Sequence, residues 1–294
     1  MDKIIIVNKP IGMTSHDVVN KIRRIFKTKR VGHTGTLDPD ASGVLVLCLN
    51  EATKLVQFLE SDSKEYIADV LVGRSTDTFD KTGNTILEKE VNNLSNDIVD
   101  ECLKSFIGKI SQMPPIYSAI KVNGKKLYEY ARNNESVDIA LRNIEVFSLE
   151  RITDVEKIDK FYTFKIKTKV SKGTYIRSLC VDICEKLGYP GLMSGLVRTK
   201  SGVWKIEDSN TLEEIENGNF NSFTMLETLK DYPIIDEEEC VYKASHGMKI
   251  SPSKINELLG EKPSRIVIKS EEKLIAIYDF DDTIYGYKAV RVWS

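Results

Sequence analysis

The sequence predicts a globular protein that mixes helices and strands, with a large first domain and a small β-rich domain after it. Of its 294 residues, 41% are hydrophobic and 29% are charged, which is typical of a folded chain with a sizeable core. Apolar residues recur with the periods of strands and of helices along most of the chain. After about Leu229 an acidic run and short strand-like segments follow, so we place the domains at residues 1–230 and 231–294.

The first two elements are a strand and a basic helix. The apolar run Ile4–Val7 predicts the strand, and Ser15 stands where the N-cap of a helix is expected. Six Lys or Arg residues and no acid occur between Lys21 and Arg30. These side chains occupy the exposed face, because the apolar residues recur at helical spacing on the other one: Val18, Val19, Ile22, Ile25 and Phe26.

A loop with two acids and no residue of the opposite charge comes next, and residues 33–43 read HTGTLDPDASG. Its second half matches the opening of a calcium loop, but the twelfth position of that pattern is Leu49 where a glutamate is needed. A phosphate loop is excluded because no lysine follows Gly43. From the loop alone, Asp38 serves either chemistry or a simple turn with Pro39.

The later elements follow from periodicity and from turn residues. The alternating segment 162–170 predicts a strand with an apolar face and a positive outer face made by Lys165, Lys167 and Lys169. Met113-Pro114-Pro115 prevents a regular helix in the segment after it. Further strands are predicted at 44–49, 65–72, 194–204, 265–268, 274–277 and 287–292, and helices at 51–59, 98–106, 179–187 and from Thr211 onward.

Charge and cysteine content limit the classes of function. The formal net charge of −2 gives no global indication of an anionic partner, so only local basic segments favour one. The five cysteines are scattered without a Cys-x-x-Cys pair, which argues against a disulfide framework and against a zinc site, and we expect reduced core residues. The apolar run near the start is too short for a signal peptide or a membrane span, so we expect a cytoplasmic protein without membrane contact.

Several long motifs, in one order, resemble the bacterial tRNA pseudouridine synthases of the TruB type. The resemblance spans about residues 4–205 and rests on Lys9-Pro10-x-Gly12-Met13-Thr14-Ser15, residues 33–43, Lys64-Glu65-Tyr66, Thr76-Asp77-Thr78-x-Asp80, Pro114, residues 117–121, residues 124–132 and Ser171-Lys172-Gly173-Thr174-Tyr175-Ile176-Arg177. It implies class α+β, with the mixed, mostly antiparallel central sheet of the pseudouridine synthase fold and a small PUA-like C-terminal RNA-binding domain. It also implies that residues 108–134 form an insertion that closes over the RNA.

The resemblance implies isomerisation of uridine 55 in the tRNA T loop to pseudouridine, with Asp38 as the catalytic carboxylate. The C–N glycosidic bond must break, the uracil must turn while still held, and C5 must bond to C1′. Attack at uracil C6, attack at C1′ and abstraction of the C2′ proton all suit a carboxylate, and the sequence does not choose among them. None of these routes needs a metal or a redox cofactor, so we expect none.

Four further residues are expected around the base. By the resemblance, Arg177 pairs with Asp38, which keeps the carboxylate ionised and oriented. Tyr66 stacks on the uracil, which must leave the T-loop stack to be reached, and Tyr175 and Leu196 line the same pocket. Taken singly, Arg177 also suits a surface ion pair, and the two tyrosines and Leu196 also suit core packing.

Three more residues complete the predicted site. Asp80 supports the arrangement or hydrogen-bonds the RNA, with an Asx turn as the competing explanation. His33 is expected against the RNA beside the target. Lys9 is expected to hold the first motif near the catalytic loop.

The expected partner is the T arm of tRNA, bound by a monomer that needs no guide RNA. Basic groups that could face phosphate occur at 21–30, 121–132 and on the Lys165, Lys167 and Lys169 face. Two alternatives stay open: a synthase that receives RNA from a guide complex, as archaeal and eukaryotic relatives do, and an RNA-binding or folding module without chemistry.

Overall fold

The computed structural model describes residues 2–60, 62–133 and 135–293. Some predicted bounds lie outside the described residues: residues 1 and 294, where the two predicted domains begin and end, and Asn134, the last residue of the predicted insertion. Elements up to the middle of the chain are β1 (Lys3–Lys9), α1 (Ser15–Ile25), β2 (Val31–His33), β3 (Ala41–Leu49), a 3-10 helix (Asn50–Leu55), α2 (Val56–Leu59), β4 (Ser63–Val72), β5 (Arg74–Thr76), β6 (Thr85–Glu88), α3 (Asn96–Lys104), β7 (Gly108–Gln112), β8 (Lys121–Val122), β9 (Lys125–Lys126), α4 (Leu127–Arg132) and β10 (Arg142–Arg151).

The second half adds further strands and helices in the same alternation. They are β11 (Glu156–Ile158), β12 (Phe161–Ser171), α5 (Ile176–Lys186), β13 (Gly191–Ser201), β14 (Trp204–Lys205), a 3-10 helix (Ile206–Asp208), α6 (Leu212–Glu216), β15 (Phe223–Thr224), a 3-10 helix (Glu227–Leu229), β16 (Ile234–Ile235), α7 (Glu238–Ser245), α8 (Pro252–Leu259), β17 (Arg265–Ser270), β18 (Lys273–Asp281) and β19 (Gly286–Val292).

One large, mixed sheet organises the chain. Its strands run in the order β15-β1-β3-β13-β4-β12-β10-β7, with β2, β11 and β14 paired to its members. Neighbours in that order are antiparallel except β13 and β3, which pair in parallel with Leu196 beside Ala41 and Arg198 beside Gly43. The predicted α+β class with a mostly antiparallel central sheet is therefore confirmed.

The strands β1 and β3 each contain a continuous apolar run, at 4–7 and 44–49, because both of their faces are covered there. Ile5 and Val7 pack with Val18 and Ile22 of α1 on one face. On the other face Ile4 and Ile6 pack with a cluster that includes Trp204, Leu229, Val267, Ile277 and Trp293. Burial on both sides removes the apolar and polar alternation that a half-exposed strand shows.

A second sheet, β16-β17-β18-β19, lies in the C-terminal part and docks on the first. The Trp293 indole Nε1 donates to the Glu51 carbonyl at 3.2 Å, which ties the last strand to the segment after β3. The three predicted strands of this part are present, and α7 and α8 pack beside them. The boundary at residue 230 stays a prediction.

One local prediction was wrong, and a second was right only in part. Thr14, not Ser15, caps α1: its Oγ1 accepts from the Asp17 backbone N–H, and the Asp17 carboxylate accepts from the Thr14 N–H. Ser15 is instead buried against Leu37. The helix expected at 51–59 begins as a 3-10 helix, since Ala52 and Leu55, three residues apart, both point into the core.

The cysteine prediction is confirmed, because Cys48, Cys102, Cys180, Cys184 and Cys240 are all free and buried. Within residues 2–60, 62–133 and 135–293, no helix is both long enough and apolar enough to cross a membrane.

Candidate active site

A cavity of about 450 Å³ opens between the loop before β3, strands β4 and β13, and the start of α5. Five of the eight predicted site residues line it: Asp38, Tyr66, Tyr175, Arg177 and Leu196. Tyr117, Ser118 and Tyr128 of the predicted insertion form part of the wall as well. Its volume falls in the range of small-molecule sites, so a flipped nucleotide is a suitable occupant.

The loop that carries Asp38 is fixed from below by buried polar side chains. Lys9 has no exposed surface, and its ammonium donates to the carbonyls of Pro10, Met13 and Pro39. The Ser15 hydroxyl accepts from the Leu37 N–H at 2.9 Å. The loop residues on both sides of Asp38 therefore have set positions.

Asp38 and Arg177 form the central ion pair. Arg177 Nε lies 3.0 Å from Asp38 Oδ2, at ion-pair distance but without the alignment of a hydrogen bond. The Arg177 side chain is 7% exposed and that of Asp38 is 41% exposed, so the carboxylate can meet a ligand while the guanidinium is held in the protein. Nη1 donates to the Thr78 carbonyl at 2.9 Å, and Nη2 donates to the Tyr117 carbonyl at 3.0 Å.

Asp80 stands behind this pair and does not line the cavity. Its Oδ2 lies 3.5 Å from Arg177 Nη1, while its Oδ1 accepts from the Thr78 hydroxyl at 2.7 Å and from the Thr82 N–H at 3.0 Å. The two explanations of Asp80 thus hold together, because an Asx-type turn shapes the loop and leaves one oxygen for Arg177.

Tyr66 and Leu196 lie on the same face of neighbouring strands. Leu196 of β13 pairs with Ala68 of β4, and Tyr66 is two residues before Ala68, so all three side chains point to one side. Tyr66 is only 7% exposed. A planar base in the cavity would lie against a wall that is aromatic and aliphatic.

Tyr175 precedes α5, and a glutamine holds it by its backbone. Gln112 Nε2 donates to the Tyr175 carbonyl at 3.0 Å, and Gln112 Oε1 accepts from the Tyr175 N–H at 2.8 Å. Gln112 is 1% exposed. Both polar groups of the peptide at the entrance to the helix are thereby satisfied within the protein.

His33 and Lys9 lie outside the set of residues that line the cavity. The His33 ring accepts at Nδ1 from the Gly35 N–H at 3.3 Å, and burial, followed by the nearby Arg198 charge, lowers its pKa. The placement of Lys9 agrees with the holding role expected from its motif. His33 stands at the start of the loop that carries Asp38 but does not line the cavity.

Three buried or half-buried polar residues at this site were not predicted. Arg198 is 2% exposed, and its Nε, Nη1 and Nη2 donate to the carbonyls of Val44, Thr36 and Gly35. Its backbone lies so close to Gly43 that a Cβ there would clash with it. Lys64 lines the cavity, and its position in the motif Lys64-Glu65-Tyr66 could have marked it as a site residue. No motif in the sequence marked Gln112 or Arg198 in the same way.

No metal site accompanies these residues in the described ranges 2–60, 62–133 and 135–293, where no group of three or more His, Cys, Asp or Glu side chains is arranged to hold an ion. The chemical groups at hand are one accessible carboxylate, cationic side chains and aromatic rings.

Comparisons with known proteins agree on one family. The model of the TruB family pseudouridylate synthase (N terminal domain) matches residues 23–176. A tRNA pseudouridine synthase B from Oceanobacillus iheyensis is 53% identical over 71% of this chain and 68% of its own length. The protein of the same name from Halalkalibacterium halodurans is 43% identical over 95% of this chain and 92% of its own.

Solved structures share the fold over almost the whole chain. A chain in the structure titled "Crystal Structure of a Cbf5-Nop10-Gar1 Complex" superposes with a TM-score of 0.69 at 26% identity, covering 99% of this chain and 84% of that one. A chain in "Structure of H/ACA RNP bound to a substrate RNA containing 2'-deoxyuridine" gives 0.69 at 24% identity, covering 99% and 85%. The second likeness concerns the fold alone.

Proposed function

The chain belongs to the TruB family of pseudouridylate synthases, and from this membership we propose that it isomerises uridine 55 in the T loop of tRNA to pseudouridine. The family match and the two relatives called tRNA pseudouridine synthase B support the activity and the substrate class. The observation that carries the residue assignment is the Asp38–Arg177 ion pair on a cavity lined by Tyr66, Tyr175 and Leu196.

The reaction needs a catalytic group at the glycosidic bond that breaks. It also needs a site that holds the uracil after the base has separated from the sugar. The bond from uracil N1 to C1′ breaks, the base turns, C5 bonds to C1′, the C5 proton leaves and N1 gains a proton. We assign the first role to Asp38, whose accessible carboxylate can attack C6, attack C1′ or take the C2′ proton. Arg177 orients that carboxylate in each of these routes.

The residues that line the cavity suit the second requirement, which is to hold the free base. A base inside a folded T loop must leave its stack before a side chain in a cavity can reach it. Tyr66 and Leu196 offer a flat apolar surface to the base, and Tyr175 offers a second ring. The turning uracil would thus be held by contacts that do not depend on its orientation in the plane.

The test is release of tritium from C5 of uridine in an unmodified tRNA transcript, with no metal ion and no other macromolecule added. We expect wild-type release that is lost in Asp38→Asn with tRNA binding kept. Asp40→Asn is the matched control, because it makes the same charge change two residues away on a residue that does not line the cavity. Binding without release in the wild type would favour a module without chemistry.

We further propose that the protein acts without a guide RNA, as a monomer in the cytoplasm, where tRNA is found. The solved relatives come from complexes of several components, so the same assay decides the matter: release by the purified chain alone supports the independent form. Release that appears only after a guide complex is added would support the other.

Basic segments outside the cavity are the proposed contacts for the T arm. On the face of β12, Lys165 is paired with Asp69, whereas Lys167 has an exposed side chain. In the basic segment 21–30, Lys21 of α1 pairs with Glu216, and Arg30, just before β2, pairs with Glu51. We propose that residues 108–134 close over the RNA and that the part from residue 231 onward adds RNA contacts.

A further inference from the structure

Two cationic groups converge beside the catalytic loop, on a different side from Arg177. A Cβ added to Gly35 would lie 3.4 Å from Lys64 Nζ and 3.8 Å from Arg198 Nη1. Gly35, Lys64 and Arg198 all line the cavity. Because Gly35 has no side chain, the space in front of both groups stays open.

Among the described residues, no carboxylate forms an ion pair with either cation. The three donors of Arg198 that are in use go to neutral backbone carbonyls, which leaves two of its five N–H groups for a ligand. Across the described parts of the chain, Lys64 Nζ makes no hydrogen bond and no ion pair. Glu60, the acid that influences it through space, lines the cavity too but stays beyond ion-pair distance.

The arrangement is unfavourable for the protein by itself. Burial lowers the pKa of Lys64, and the Arg198 charge lowers it further. Buried charges are usually paired with an opposite charge, so two cations side by side favour the binding of an anion between them. Asp38 does not serve as that anion, because its carboxylate is paired with Arg177.

We propose that Lys64 and Arg198 form a phosphate subsite that binds one of the two RNA phosphates flanking the target nucleotide. A uracil carbonyl is neutral and could not compensate two cations, whereas a phosphate carries the required charge. Lys64 and Tyr66 are two residues apart on β4, so the phosphate and the base would be held by the same face of one strand.

The inference rests on the proposed function only for the identity of the RNA, and binding tests it without turnover. The probe is a T-arm stem-loop RNA, either unmodified or with a neutral methylphosphonate at one flanking phosphate. Dissociation constants are measured in the Asp38→Asn background for the parent, for Lys64→Met and for Lys64→Arg. Lys104→Met, which removes a charge paired with Glu101 on exposed α3, is the control.

We expect Lys64→Met to weaken binding about tenfold, the usual effect of losing a hydrogen bond to a charged group. It should also reduce the slope of log affinity against log salt by roughly 0.7 to 0.9. One of the two methylphosphonates should weaken the parent about tenfold but the Lys64→Met variant less than about twofold. Lys64→Arg should restore most of the affinity, and Lys104→Met should behave as the parent.

The subsite would be overturned if each methylphosphonate weakened binding to the parent and to Lys64→Met by the same factor, even if the wild type makes pseudouridine. Parent-like affinity and salt slope in Lys64→Met would also overturn it. If one methylphosphonate weakens binding only when Lys64 is present, but the wild type releases no tritium, the proposed function would be refuted and the phosphate subsite would be supported. A parent that does not bind the RNA would refute both.

Discussion

Replacing Arg177 by lysine keeps the charge of the site and removes its geometry. The guanidinium reaches Asp38, Thr78, Asp80 and Tyr117 from three nitrogens. An ammonium is one point charge on a flexible stem and cannot span these partners. We therefore expect at least two of the contacts to be lost, with buried carbonyl or carboxylate oxygens left unpaired.

The expected size of the effect follows from those contacts. Each unpaired buried group costs about 1–3 kcal/mol, so Arg177→Lys should lower the free energy of unfolding by roughly 2–5 kcal/mol. With the entropy of unfolding expected for a chain of this length, that corresponds to a fall of about 3–8 °C in Tm. A carboxylate displaced by about 1 Å loses on the order of 100-fold in rate, and we expect at least that loss in the single-turnover rate at saturating tRNA.

Arg151→Lys separates lost activity from lost stability. Arg151 is 13% exposed, donates from Nε and Nη2 to the two oxygens of Asp100 at 2.9 Å, and does not line the cavity. Its variant should unfold at a similarly lowered temperature and keep the wild-type rate. A wild-type rate in Arg177→Lys would refute the orienting role, and an equal rate loss in Arg151→Lys would mean that stability alone governs turnover.

Three further variants test the frame around the site. Gln112→Leu should keep the affinity for tRNA within about threefold and lower the single-turnover rate about tenfold, since the Tyr175 peptide loses both side-chain partners; an unchanged rate would contradict this. Lys9→Met should lower the unfolding free energy by roughly 2–4 kcal/mol in denaturant titrations, because three carbonyls, including that of Pro39, lose their donor; no change would show that they are paired in another way. Asp182→Asn should stabilise the protein by roughly 1–2 kcal/mol at pH 7.5. Burial raises the pKa of Asp182 from 3.8 to about 6 in the folded protein, so stability that is present below pH 3.8 is lost as the pH rises through 6. A gain in stability that persists at pH 3.5 would refute this cause.

Elements with a strong period could be predicted from the sequence, and so could the residues that a motif marks. The strand at Tyr162–Val170 alternates because one of its faces is exposed, and α5 repeats apolar residues at helical spacing. The cap of α1 could not be assigned correctly. Thr14 and Ser15 both suit an N-cap chemically, and contact of Ser15 with Leu37, 22 residues away, decides between them.

Residues that act through tertiary contacts gave no signal in the sequence. Arg198 stands in a strand among residues of ordinary polarity, and only the parallel pairing of β13 with β3 places it beneath the catalytic loop. Gln112 precedes a proline-broken segment and contacts Tyr175 63 residues later. In both cases the polar partner is a backbone group, which every residue has and which no local pattern distinguishes.

The acidic loop at residues 33–43 and the small net charge of the chain are consistent with a polyanionic substrate, because cationic side chains from other elements contact this loop. Residues 33–43 contain no Lys or Arg, yet Lys9, Arg177 and Arg198, from β1, α5 and β13, all contact this loop. Only Arg177 meets a carboxylate there; the other two cations donate to carbonyls. In the parts of the chain that the structure describes, Lys64 and Arg198 line the cavity without forming an ion pair with a carboxylate. A net charge of −2 thus coexists with local attraction for phosphate, because the field at a site depends on which charges face it and not on their sum over the chain.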